Sequence, residues 1–327
     1  MSTTLADRTA AAALGLASAL VLAACANPSA GATTEVAAPK GGTTKINLGP
    51  DQNRVTTAKV DSIAAKVPAR IRDRGTLEIV NSSGSAAPLT FRATDDKTVI
   101  GVEADLAHLV ADVLGLKPHV NTVSWENIFV GLDSAKYDVG FSNITVTEER
   151  KEKYDFATYR EDNLGFEAKK GSGLKITGPA DVAGRTVAVS SGTNQEKLLV
   201  AWSEENEKAG RAPVDVKYYQ NDSDTYLALQ SGRIDLYLGP NPTAAYHAAV
   251  TGRTEVVGTY SGAGATLQGL IAATTKKGSG LAGPLAEALD EVIENGTYAE
   301  VLERWGLSDE AVATSQVNPP GLPRTNK

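Results

Sequence analysis

Along "VEADLAHLVADVLGL" the apolar residues Val102, Leu106, Leu109, Val110, Val113 and Leu114 recur at helical spacing and form one stripe. Just before it, "TLEIVNS" has the pattern of a strand, and another strand is predicted around His119–Val123. A short helix carrying Ile128, Phe129 and Leu132 follows, and Tyr137–Phe141 then reads as a buried strand. The second half repeats the scheme. "RTVAVSSG" is a strand, "NQEKLLVAWSEENEKA" a helix, "VDVKYYQ" a strand, "DSDTYLALQSG" a capped helix and "IDLYLGPN" a strand that breaks as the earlier one does. This alternation predicts an α/β fold with a largely parallel sheet.

Two segments resemble each other across the halves. "LDSAKYDVGFSN" (132–143) and "LQSGRIDLYLGP" (229–240) share Leu, Ser, a basic residue and Asp at the same offsets, followed by a strand and a turn. Either common αβ elements coincide here or the chain has two similar lobes. After the first of these strands, Ser142, Asn143, Thr145 and Thr147 supply small hydrogen-bonding side chains, with Arg150 close behind. Ligands of open α/β sheets sit outside the carboxyl ends of strands. Hydroxyls, an amide and a planar guanidinium placed there can surround a carboxylate. The same residues also suit a helix capped by Thr147, with Arg150 paired to an acid and "EERKEK" as a solvated face.

The 327 residues, 42% hydrophobic and 22% charged, are enough for two compact domains, and the net charge of −7 argues against a nucleic-acid partner. His108, His119 and His247 lie far apart without metal-ligand spacing, so neither a metal nor a cofactor is expected. Cys25 is the one cysteine, which excludes an intrachain disulfide. It closes an apolar run, "AAAALGLASALVLAA", that begins after Arg8 and is too short for a membrane span. "LAAC", Leu22 to Cys25, resembles the bacterial lipobox. That resemblance implies removal of residues 1–24 as a signal peptide, lipid on Cys25, and a protein anchored outside the cytoplasm; an ordinary secretory leader is the other reading. Residues 25–58, rich in Ala, Gly, Thr and Pro, are expected to be a flexible tether, because they cannot bury enough apolar surface to fold alone.

Five segments carry a wider resemblance: "GVEADLA" (101–107), "YDVGFSNITVTEERKEKYDF" (137–156), "DVAGRTVAVSSGTNQEKL" (181–198), "LQSGRIDLYL" (229–238) and "LAEALDEVIENGTYAEVLERWG" (285–306). In this order the chain resembles the polar amino-acid-binding proteins of ABC importers. The resemblance implies a two-lobed, periplasmic-binding-protein-like α/β fold with a ligand cleft between the lobes. Lobe 1 would be discontinuous, residues 59–163 and 267–310, lobe 2 would be 164–266, and 311–327 would form a C-terminal tail. The hinge would lie near 160–165 and 264–268. Position by position, Arg150 resembles the family's carboxylate-binding arginine and Thr145 its hydroxyl partner. Asn143 matches a main-chain contact, and Gly192 and Thr193 match donors from the other lobe, with Asn194 beside them. Trp125 matches a residue that packs on the ligand's side chain, or else is a core tryptophan.

Departures from the family pattern bear on the ligand. "AAPL", Ala86 to Leu89, stands where aromatics are usual, and Ser83 where receptors of cationic side chains carry an acid. Pro240 stands where an Asp commonly accepts the ligand's ammonium, and Asn241 could supply an oxygen but no charge. Either another acid, Glu126 or Glu167, substitutes, or the ligand's nitrogen is other than a primary ammonium, as in cyclic, secondary or amidine-like derivatives. An ammonium buried without a charged partner is costly. The function expected is that of a monomeric, lipid-anchored receptor that binds a small carboxylate-bearing amino acid or derivative and delivers it to an ABC importer permease, without catalysis. The alternatives are an enzyme of the same fold acting as a cyclic-acid dehydratase, and a ligand sensor for a membrane kinase.

Overall fold

A single 16-residue strand, Tyr154–Lys169, organises the molecule. Its first part pairs antiparallel with Gly269–Lys276, ending at Asp162 opposite Gly269. Its second part pairs with Thr254–Ser261, beginning at Asn163 opposite Ser261, and with Leu236–Pro240. The partner strands therefore change between two adjacent residues, and the chain crosses back between Ser261 and Gly269. The computed structural model describes residues 33–37 and 43–324. The leader 1–24 and Cys25 lie outside the described residues.

On each side of this crossing a small parallel sheet continues outward. Thr76–Ser82 pairs in parallel with Lys117–Val123 and with Val139–Gly140 in one lobe. In the other, Thr186–Val189 pairs in parallel with Asp215–Tyr218 and with Leu236–Pro240. The helices are those the apolar periodicity predicts. In Val102–Leu114, Val102, Leu106, Leu109, Val110 and Val113 are fully buried, and the helix ends at Gly115 in the left-handed conformation. Each lobe closes its own core. One contains Leu77, Leu106, Ile271, Leu289 and Trp305; the other contains Leu164, Phe166, Val187, Leu199 and Leu236. The similar segments 132–143 and 229–240 each run from a helix into a strand that ends between the lobes.

The N-terminal stretch departs from the expectation of a loose tether. Thr33–Ala37 and Thr43–Asn47 pair as an antiparallel hairpin beside the helix Asn241–Thr251. Ile46 is buried in the first lobe's core, where Tyr246 of that helix also packs. Arg54 bonds to Asp105 and, at 2.8 Å, to the Val99 carbonyl, while Arg304 donates to Gln52 Oε1 at 2.6 Å. The physical reason is that composition measures what a segment can bury by itself, whereas this one inserts Ile46 into a core built by other elements. Residues 311–324 are likewise bound. Thr158 N–H donates to the Gln316 carbonyl at 3.1 Å, and Leu322 N–H to that of Val146 at 3.0 Å.

Beneath the crossing lies a buried ionic group. The Arg160 guanidinium donates to Glu310, to Asn143 Oδ1 and, at 3.3 Å, to Glu103, whose carboxylate also accepts from the Tyr159 hydroxyl. Burial raises the Glu103 carboxyl above its ordinary range despite the cation, and holds Glu310 at about 7. Burial also opposes the charge on Arg160, but the two carboxylates outweigh it and keep the group charged. Arg160→Met would strand both acids in the interior and should cost about 3–5 kcal/mol in urea denaturation at neutral pH. The deficit should shrink as the pH falls and the stranded carboxyls take up protons. An unchanged urea midpoint at every pH would exclude this role.

Candidate functional site

Every loop at the carboxyl end of a parallel strand opens toward the space between the lobes. From lobe 1 come Ser82 to Leu89 after the first strand, Trp125 after the second, and Ser142 and Asn143 after the third. From lobe 2 come Ser190 to Gln195, Gln220 to Asp222, and Gly239 to Thr243. Together they line a single cleft between the lobes, whose open space, counting the part continuous with solvent, is about 690 Å³.

The helix Asn194–Lys208 points its N-terminus into this cleft. Thr193 is its N-cap, accepting from Glu196 N–H at 3.2 Å, and Glu196 in turn accepts from Gly192 N–H at 2.6 Å. Gly192 has φ +74°, a left-handed conformation that a Cβ would strain. The adjoining N–H groups and the positive end of the helix favour an anion.

Arg150 lies at the flank of the cleft. Its guanidinium is 5.4 Å from the ring centres of both Trp125 and Phe129. It donates to the Thr145 carbonyl at 2.9 Å and, across the cleft, to the Gly192 carbonyl at 3.2 Å. It forms no ion pair among the described residues. Burial pulls its pKa down to about 10, against the weaker pull of Asp162 and Glu149. A half-buried cation bonded to neutral carbonyls is short of negative charge. Its backbone N–H donates to Thr147 Oγ1 at 3.0 Å, but the only helix there is the 3-10 turn Arg150–Glu152, with Glu149 at its N-cap, so neither the helix capped by Thr147 nor the pairing of Arg150 with an acid is formed.

The other residues named from sequence divide. Trp125, Asn143, Thr193 and Asn194 line the cleft. Gly192 abuts Trp125, and its carbonyl holds Arg150. Thr145 is fully buried with its hydroxyl donating to Asp162 at 2.7 Å, so that hydroxyl is turned away from the guanidinium it was expected to assist. The Asn143 side chain faces Arg160 instead of solvent. Asn241 lies behind Pro240 against Gly165 and is not among the lining residues. Neither substitute acid reaches the cleft. Glu126 is exposed, and Glu167 is buried in lobe 2, accepting from Thr254 and lying 2.5 Å from His247 Nδ1.

Sequence reasoning missed three residues. Asp222 lines the cleft and accepts from the Tyr237 hydroxyl at 2.8 Å. Gln195 lines it too. Asp162, within the long strand, accepts from Thr145 of one lobe and, at 3.0 Å, from Asn194 Nδ2 of the other. Burial raises its carboxyl, opposed by these donors and by Arg160 and Arg150. A Cβ at Gly262 would fall 1.7 Å from Asp162 Oδ2, so only glycine leaves room for the clasp. The available signal was positional: "NDSDTY" begins a helix just after a lobe 2 strand, as the predicted sites in lobe 1 do.

With this geometry in view, comparison with known proteins is informative. The family model for bacterial extracellular solute-binding proteins, family 3, matches residues 79–308. The chain belongs to that family. It is 31% identical over 241 residues to the L-cystine-binding protein TcyJ of Escherichia coli (strain K12), a match covering 73% of this chain and 86% of that protein. It is 28% identical to the arginine-binding protein ArgT of Corynebacterium glutamicum, covering 79% of this chain and 83% of that one. Among solved structures, an ancestral arginine-binding protein bound to arginine superimposes with a TM-score of 0.61 at 30% identity, covering 71% of this chain and 98% of that chain. An ancestral amino acid-binding protein described as a precursor of cyclohexadienyl dehydratase gives 0.61 at 26% identity, covering 72% and 97%. The two-lobed α/β architecture of this solute-binding family is thus the architecture of this chain. No helix among the described residues is long and apolar enough to cross a membrane.

Because Asp162 joins donors from both lobes, Asp162→Ala should destabilise the protein by about 1–3 kcal/mol through the donors it strands. It should also enlarge the radius of gyration of the unliganded protein in small-angle scattering. An unaltered radius together with an unaltered melt would mean that the clasp contributes nothing to closure.

Proposed function

We propose that this protein is a receptor that takes a small amino acid, or a derivative bearing a carboxylate, into the interlobe cleft and passes it to an ABC importer. The observation that carries the reading is Arg150: a guanidinium at the lobe interface, beside the rings of Trp125 and Phe129, bonded only to neutral carbonyl oxygens. A carboxylate entering there replaces the Gly192 carbonyl with charge-assisted bonds of roughly twice the strength. The N-terminus of the helix Asn194–Lys208, with Thr193 at its cap, supplies further N–H donors from the opposite lobe. Trp125 lies beside this seat and packs on the guest's apolar part. Asn143 contributes by fixing the loop: its amide oxygen is held by Arg160, and its backbone N–H holds Glu103. Thr145 acts indirectly, anchoring Asp162 and offering its carbonyl to Arg150. The names of the relatives, receptors for cystine and for arginine, support the amino-acid class of guest.

The work is binding, closure and release, with no bond broken. Closure of lobe 2 over lobe 1 turns about the crossing at Asp162–Asn163 and Ser261–Gly269. In this reading residues 1–24 are removed, Cys25 carries lipid, and the monomer works at the outer face of the membrane, with the described hairpin between anchor and lobes.

A thermal-shift survey of amino acids should identify a stabilising ligand; at about 100 times its dissociation constant the gain is roughly 2.7 kcal/mol. With that ligand, Arg150→Ala should weaken binding by about 2–5 kcal/mol, and Arg150→Lys should recover only part of it, because an ammonium lacks the planar fork. Equal affinity for Arg150→Ala and the parent chain in calorimetry would dismiss Arg150 as the carboxylate seat. Recovery of a chemically altered ligand after incubation would turn the reading toward an enzyme. Cys25→Ala should abolish incorporation of labelled palmitate and release the protein from membranes.

A further inference from the structure

The cleft has one charged side chain among the described residues that line it, and it is an acid. Asp222 opens the helix Asp222–Ser231, on the lobe 2 side of the cavity. Its Oδ1 accepts from the buried Tyr237 hydroxyl at 2.8 Å. No hydrogen bond or ion pair among the described residues occupies Oδ2. A second acceptor faces the same problem. Gln195 lines the cavity with 6% of its surface exposed, and its Oε1 is buried without a hydrogen-bond partner among the described residues. A carboxylate with a single donor on one oxygen and an amide oxygen with none, in a shared cavity, are costly unless a guest supplies N–H groups.

We infer that Asp222, helped by Gln195, seats a cationic nitrogen of the guest, an ammonium or guanidinium, so that the ligand is a zwitterion held at its two ends by Arg150 and Asp222. The inference rests on the proposed receptor function and narrows its ligand class. It also resolves the difficulty that Pro240 raises. Pro240 lines the cavity but offers no side-chain acceptor, and the acid comes from the neighbouring helix instead.

The surroundings of Asp222 suit a charge completed by the guest. Burial pushes its carboxyl up to about 6, and the charge of Glu167 on the long strand adds to this. The Tyr237 hydroxyl on its own strand and His247 on the helix Asn241–Thr251 oppose the rise. Tyr226, one turn along the helix of Asp222, is stacked on His247 at 3.5 Å and stays protonated, its phenol raised by burial and by Asp222. A bound cation pulls the Asp222 carboxyl back down. Binding below about pH 6 therefore expels a proton, affinity rises with pH through that window, and it levels off above it.

The test is calorimetry of the full protein with the twenty amino acids, L-cystine and glutarate, the last a dicarboxylate without nitrogen. A zwitterion is expected to bind best, and Asp222→Asn to weaken it about tenfold or more while retaining the hydrogen bond from Tyr237 and the parent melting temperature. Titration at about pH 5.5 in buffers of different ionisation enthalpy should show proton release for the parent chain and none for Asp222→Asn. Unchanged affinity of Asp222→Asn for the best zwitterion overturns the inference. So does glutarate binding as tightly as any zwitterion, which would leave the carboxylate seat at Arg150 standing. Binding by none of these probes overturns both the inference and the receptor function beneath it.

Discussion

Two sheets share one strand, and the rest of the molecule follows from that constraint. Because Tyr154–Lys169 pairs with one lobe up to Asp162 and with the other from Asn163, each parallel sheet must point its carboxyl ends at the same gap. The loops there are short of backbone partners and rich in Ser, Thr, Asn and Gly, so they present hydrogen-bonding groups to whatever occupies the space. The returning chain, Ser261 to Gly269, runs against the same point, and Gly262 gives the Asp162 carboxylate the room to reach donors from both lobes.

Charge is distributed along the cleft in a way that composition hides. The chain is acidic overall, yet among the described residues the cation at one flank of the cleft, Arg150, and the acid in its lining, Asp222, each lack an ion-pair partner. Arg150 is desolvated by Trp125, Phe129 and the closing lobe; Asp222 is desolvated by Tyr237 and its neighbours. Each is partly stripped of water and neither is neutralised. By contrast, Arg160 is surrounded by Glu103, Glu310 and Asn143, so its charge is already compensated within the protein. The two arginines, ten residues apart, differ in their partners: neutral carbonyls for Arg150, two carboxylates and an amide for Arg160.

Much of the architecture was readable from apolar spacing. The stripe from Val102 to Leu114 makes a buried helix because successive turns put those residues on one face, and the strand–turn boundaries at Ser82, Ser142 and Pro240 fall where the apolar runs stop. A strand end located the loop of Asn143 for the same reason, whereas Trp125, Thr193 and Asn194 were reached through their resemblance to the family's motifs. What spacing does not encode is direction. The hydroxyl of Thr145 could face the cleft or the hinge, and Asp162 decides it. Asn241 and Pro240 are neighbours, but Pro240 lines the cavity and Asn241 lies behind it. Residues 43–58 have too few apolar side chains to fold alone, yet Ile46 is buried, because the core it enters was built by residues far away in the chain.

The sequence by itself determined the family, the alternation of strands and helices, and the placing of small polar residues at strand ends, since these depend on local periodicity and on motifs a few residues long. Only the tertiary structure decided which groups meet between the lobes. Arg150 and Gly192, or Thr145 and Asn194 at Asp162, are separated by dozens of residues and belong to different lobes, so no local pattern relates them. Their relation exists because the long strand folds two separate cores back onto one cleft, where desolvation makes the absence of a partner matter.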